Sequence, residues 1–135
     1  MSPTLLALLG FLSWTLFLLV LMEIIRTKLV LSGEIPANGF DPANSNLSPF
    51  MQRLARVHAN CLEGLPVFGG LMLLAVVAGK SNVTDPLAFA LLAARIAQST
   101  IHLVSTTSTA VMARFTAFAA QLAIAAYWAV KLTGA

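Results

Sequence analysis

Arg53, Arg56, Asn60 and Glu63 recur every three or four residues in the stretch Arg53-Leu-Ala-Arg56-Val-His58-Ala-Asn60-Cys61-Leu-Glu63-Gly-Leu-Pro66, at the mouth of a segment that is otherwise apolar. At ~100° per residue these four share roughly 80° of a helix surface, with His58 on the far side. Guanidinium groups present planar forks of donors that suit carboxylates and phosphates. A second polar face follows later in the chain, where Arg95, Gln98, Ser99, His102 and Thr106 fall within roughly 100° at the same helical period. An unpaired arginine at mid-membrane depth costs at least ~2.5–3.5 kcal/mol. Glu63 is the natural counter-ion for Arg95, and such a pair would lock the two segments together. Arg53, Arg56 and Arg114, however, have no carboxylates at their level. That surplus reads as a basic pocket for an anion.

The elements that carry these faces belong to a membrane. Of 135 residues, 59% are hydrophobic and 10% charged, with a mean hydropathy of +0.87, too little polar surface for a soluble globule. Four long apolar runs stand out, at about residues 5–25, 48–78, 85–106 and 110–132, each long enough to cross a hydrocarbon core of ~30 Å. The first has no basic residue before it and is too long for a signal-peptide core, so it is expected to remain in the mature protein. Ser48-Pro49 is a start signal for the second run, a capping residue followed by proline at the first helical position, and Asp85-Pro86 repeats it for the third. The expected fold is an all-α integral membrane bundle of four transmembrane helices forming a single domain. Both termini then lie on one side.

The connection from about residue 26 to 47 is the one long loop, and its Gly33, Pro36, Asn38-Gly39 and Asp41-Pro42 are turn formers. Arg26, Lys28, Arg53 and Arg114 gather on its side, Lys80 and Lys131 on the other. The positive-inside rule then places this loop in the cytoplasm and both termini outside. The net charge of +3 is scattered and forms no stripe for nucleic acid; membrane lipid headgroups or an anionic substrate suit it better. The single cysteine, Cys61, excludes an intramolecular disulfide and a cysteine metal cluster, and reads as a small packed residue. Pro66, with Gly64, Gly69 and Gly70 nearby, is placed to kink the second helix beyond its polar stripe. Ala113, Ala117, Ala125 and Ala129 form a small-residue ridge on the fourth, interrupted by Gln121 and suited to close packing within or between subunits. Tyr127 and Trp128 read as interface anchors.

The run Arg56-Val-His-Ala-Asn60-Cys-Leu-Glu63-Gly-Leu-Pro66-Val-Phe68 resembles the signature of the MAPEG family, the membrane-associated proteins of eicosanoid and glutathione metabolism. Chain length, four crossings, the long first loop and an arginine on the third helix agree with it. The resemblance implies a homotrimer with glutathione, a co-substrate, bound between neighbouring subunits near the cytoplasmic face. Carried over by position, it implies that Arg56, Asn60 and Glu63 hold glutathione, with Arg95 and Gln98 beside them from the third helix. Arg26 matches the family's basic residue that reaches a neighbouring subunit's glutathione. Arg114 is the candidate for the catalytic arginine. Where catalytic members place a tyrosine, seven residues after the helix-three arginine, this chain has His102, and Phe115 and Phe118 stand where some members have serine and tyrosine.

The chemistry implied is thiolate activation. The glutathione thiol, with an ordinary pKa of about 8.5, is ionised by a nearby cation and a hydrogen-bond donor, here Arg114 with His102 or Ser99. Three readings of function stay open. One is a membrane glutathione transferase attacking a hydrophobic electrophile, with reduction of lipid hydroperoxides as an added activity. Another is a non-catalytic lipid-binding or scaffold member, which loss of the tyrosine favours. The last is a small cation transporter centred on Glu63, which the surrounding guanidinium groups oppose. The host membrane is the inner membrane of a bacterial source, or the endoplasmic reticulum or a similar membrane otherwise.

Overall fold

A computed structural model describes residues 1–135. Helix α1 spans Pro3–Leu31, α2 Pro49–Gly64, α3 Gly70–Val77, α4 Ser81–Val104 and α5 Ser108–Leu132. A π turn, Leu65–Gly69, joins α2 to α3, so the two form one rod over Pro49–Val77 and the protein has four helices long and apolar enough to cross a membrane. Large apolar residues face outward along them, including Leu9, Leu16, Phe17 and Ile24 of α1. On a soluble surface that face would be a liability; in lipid it is the required solvent contact. The protein is an integral membrane protein.

The helix ends show which local signals the chain uses. Ser48 accepts from the Met51 amide at 3.2 Å, with Pro49 at the first helical position, and Ser2 and Thr107 cap α1 and α5 in the same way. The third membrane helix departs from expectation. It begins at Ser81, four residues before Asp85-Pro86, because the Asp85 carboxylate serves another helix. Its Oδ1 accepts from the Thr4 amide at 3.0 Å and from the Thr4 hydroxyl at 2.5 Å, so it caps the start of α1 across the bundle. Gly79, at φ +68°, makes the sharp turn between α3 and α4 possible. The first helix runs six residues past its expected end, since Arg26 and Lys28 lie at its polar end and interrupt hydropathy without interrupting the helix.

Two apolar clusters form the core. One joins Ala7 and Phe11 of α1, Phe68 of the π turn, Met72, Leu91 of α4, and Ala125 and Trp128 of α5. The other joins Leu18 and Met22 to Leu54, Val57 and Cys61 of α2. Trp128 is therefore a fully buried core residue, not an interface anchor, because it packs into the first apolar cluster rather than facing the bilayer. The alanine ridge packs inside the subunit at its centre, where Gln121 and Ala125 are buried. Cys61 is free and buried.

Pro66 lacks the N–H that would bond the Leu62 carbonyl. The chain widens here, with the Gly70 amide reaching back to the Leu65 carbonyl. Such a turn inserts one extra residue and re-phases the helix beyond it. It brings Phe68 and Gly69 into the core.

Candidate functional site

A cavity of about 470 Å³ opens between α2, α4 and α5, and its wall collects Arg56, Asn60, Glu63, Arg95, Gln98, His102 and Arg114 from the residues singled out in the sequence. Arg56, Asn60 and Glu63 come from one face of α2 and are exposed to the opening. Arg95 and His102 of α4 are buried, at 1% and 7% exposure. Arg114 enters from the second turn of α5. His58, on the opposite side of α2, stays outside the cavity. Arg26 also lies elsewhere. Its guanidinium donates to Asn44 Oδ1 at 3.1 and 2.5 Å and to the Asp41 carbonyl at 3.1 Å, pairs with Glu23 at 3.3 Å and lies over the Phe40 ring.

The expected Arg95–Glu63 pair is absent. The one ion pair in the chain is Arg26–Glu23. Arg95 instead points among three rings, Phe11, Phe68 and Phe118, with its guanidinium carbon 5.4–6.0 Å from their centroids. Its Nε and Nη2 are buried with no hydrogen-bond partner. Ring faces attract a cation but accept no full hydrogen bonds, so these two donors are left without an acceptor. A shared helical face fixes which way two residues point, not how deep each sits; the aromatic cage draws Arg95 away from Glu63.

Gly64 is the residue that permits this placement. A Cβ there would stand 3.0 Å from Arg95 Nη2 and 3.1 Å from the Phe68 ring. Arg53 shares the polar stripe but turns out of the cavity, donating from Nε to the Leu103 carbonyl at 2.8 Å and so closing the C-terminal end of α4. Ser99 is likewise withdrawn, facing Cys61 Sγ at 3.4 Å, which leaves His102 alone of the two expected thiolate donors on the wall. Thr106 falls beyond the end of α4.

The remaining wall is apolar: Val67 and Phe68 from the π turn, and Val111, Phe115, Phe118 and Leu122 from α5. Val67, Phe115 and Leu122 are also exposed at the protein surface, so the cavity opens sideways as well as toward its polar end. Sequence reasoning missed most of this half. The spacing of Val111, Phe115, Phe118 and Leu122, at three and four residues, was the available signal.

Three cations, Arg56, Arg95 and Arg114, thus surround one space with Glu63 as its one carboxylate. Such a site suits an anion that also carries an amine. Beside this polar end the rest of the wall is apolar.

Against known proteins, residues 4–134 match the model of the MAPEG family. No curated protein and no solved structure matches the chain.

Proposed function

The chain belongs to the MAPEG family, and from that premise we propose that it binds glutathione in the α2–α4–α5 cavity and activates its thiol for attack on a hydrophobic electrophile. The single observation that carries this reading is the set of unpaired guanidinium groups, Arg95 above all, whose buried Nε and Nη2 have no acceptor in the protein. Glutathione supplies what they lack. Its two carboxylates suit Arg56 and Arg95, and its free amine suits Glu63, with Asn60 and Gln98 adding neutral hydrogen bonds. Arg114 is assigned to the sulfur, where a fixed cation favours the thiolate over the thiol, with His102 as the hydrogen-bond donor beside it.

The electrophile enters from the bilayer along Val67, Val111, Phe115 and Leu122. With an aryl chloride, the thiolate sulfur forms a bond to the ring carbon and chloride leaves. With a lipid hydroperoxide, the thiolate attacks the peroxide oxygen and releases the alcohol, and a second glutathione completes the disulfide. No protein side chain acts as nucleophile.

The same reading takes the protein as a homotrimer with the cavity near the subunit boundary, and the long loop as cytoplasmic, following the excess of arginine and lysine at that end. Arg26 of a neighbouring copy is the weakest member of the proposed set, since its guanidinium is already committed to Asn44. The alternative, a lipid-binding member without turnover, draws on Phe115 and Phe118, which widen the apolar wall where a hydroxyl would assist chemistry.

Purified protein in detergent should bind glutathione and conjugate an aryl chloride faster than free glutathione does at the same pH. Binding without conjugation would favour the lipid-binding alternative. Absence of both would remove the proposal.

A further inference from the structure

Gln121 sits in the middle of α5, fully buried, and as a packing residue it is a poor choice. Its Oε1 is buried with no donor, and an unsatisfied acceptor in a core is destabilising. Methionine or leucine would fill the volume without that penalty. What the amide supplies instead is direction.

Gln121 Nε2 donates to the Ala117 carbonyl at 3.1 Å and to Gln98 Oε1 at 2.9 Å. A main-chain carbonyl can only accept, so the group that faces it must be the NH₂ of Gln121, not its oxygen. The second hydrogen of that NH₂ needs an acceptor as well. Gln98 therefore turns its carbonyl oxygen toward Gln121, and its own NH₂ remains for the cavity that Gln98 lines. The orientation of an amide usually has to be chosen between two near-equivalent fits. Here the Ala117 carbonyl fixes it, two links away.

We propose that Gln121 is a positioning residue that holds the Gln98 amide with its N–H groups toward the cavity, so that the site offers a neutral donor to an anionic group of its ligand. Without Gln121 the Gln98 amide is free to turn over, and its carbonyl oxygen would then face the same anion and repel it. Use of the donor by glutathione rests on the function proposed above. The orientation itself does not.

Two measurements separate these claims. Side-chain amide hydrogen exchange on the ligand-free, unmodified protein reads orientation directly: the Gln121 NH₂, which has two protein acceptors, should exchange more slowly than that of Gln98. Equal or reversed rates would overturn the proposal, whatever the protein binds. A double-mutant cycle on glutathione affinity then reads the coupling. Gln98→Met should weaken binding about tenfold, the order expected for one hydrogen bond to a charged group. Gln121→Met should weaken it several-fold in the otherwise unmodified protein and leave it unchanged in the Gln98→Met background. An equal loss in both backgrounds would show that Gln121 only supports packing and would overturn the proposal. If the unmodified protein binds no glutathione, the functional reading fails, and the exchange rates still decide the orientation.

Discussion

Arg26 and Arg95 are the same side chain in two opposite situations. At the long loop, Arg26 is enclosed by acceptors: Asn44 Oδ1, the Asp41 carbonyl and Glu23, with the Phe40 ring beneath. Asn44 is itself fully buried, held at φ +54° and closed on its other side by donation from Nδ2 to the Met51 carbonyl at 2.8 Å. In the cavity, Arg95 has rings around it and no acceptor for Nε or Nη2. The loop arginine has its acceptors within its own chain, whereas the cavity arginine has none for two of its nitrogens. The count of basic residues therefore does not by itself point to a binding site; whether the protein satisfies them separates the two regions.

The contrast is broken most forcefully by substitution at the two arginines and their neighbours. Arg95→Met should abolish measurable glutathione binding, because losing one partner of a buried charged contact typically costs about 2–5 kcal/mol of affinity. The same change should leave the melting temperature unchanged or raise it, since an apolar side chain of similar size replaces a buried charge without a partner. Arg56→Ala should lose binding to a similar degree, while His58→Ala should retain it. Glu63→Ala, which does not strand Arg95 because the two do not pair, should weaken binding with little change in the thermal melt. If Arg95→Met unfolded the protein, the arginine would be structural and the contrast with Arg26 would collapse.

On the loop side the expected effects reverse. Asn44→Ala should destabilise by roughly 1–3 kcal/mol through the buried groups it leaves unpaired, plus the strain of a positive φ in a residue with a β-carbon and no local hydrogen bond. Glutathione affinity should stay within a few-fold. A chemical unfolding curve beside a binding titration checks both.

Gly64→Ala probes the boundary between the two uses. The added methyl crowds Arg95 Nη2 and the Phe68 ring, so binding should weaken several-fold with only a small shift in melting. A loss of stability without a change in affinity would show that Gly64 serves helix packing alone.

The smallest effect belongs to Asp41. Its carboxyl is held below the ordinary 3.8, chiefly by the Ser45 hydroxyl and then by the Ser45 amide. A lowered folded-state value means that this contribution is complete above 3.8 and fades as pH falls through the lower value. Proteolysis of the loop should accelerate only under that acidity, and Asp41→Asn should remove the dependence.

Much of this was legible in the sequence because polar residues on membrane helices are few and their spacing reports a face. Arg56, Asn60, Glu63, Arg95, Gln98, His102 and Arg114 could be gathered on that basis together with the family resemblance, and one cavity wall carries all of them. Partnership was not legible. Asp85-Pro86 looks like Ser48-Pro49, yet Asp85 caps α1 from across the bundle, and nothing local distinguishes a cap for one's own helix from a cap for another. The apolar wall escaped for a related reason. On a helix bathed in lipid, Val67 and Leu122 look alike whether they face a cavity or a chain of methylenes. Gln121 could be read only as a gap in a ridge, since its partner Gln98 is fixed by packing of α5 on α4.

The central claim is that the cavity's unpaired guanidinium groups await the carboxylates of glutathione, and calorimetric titration of the purified protein with glutathione and with its diethyl ester tests it most directly. The ester keeps the thiol and the amine but lacks both carboxylate charges. Glutathione should bind and the ester should bind at least about tenfold more weakly, the least that losing hydrogen bonds to charged groups would cost. Equal affinity for the two, or no binding of glutathione, would contradict the account.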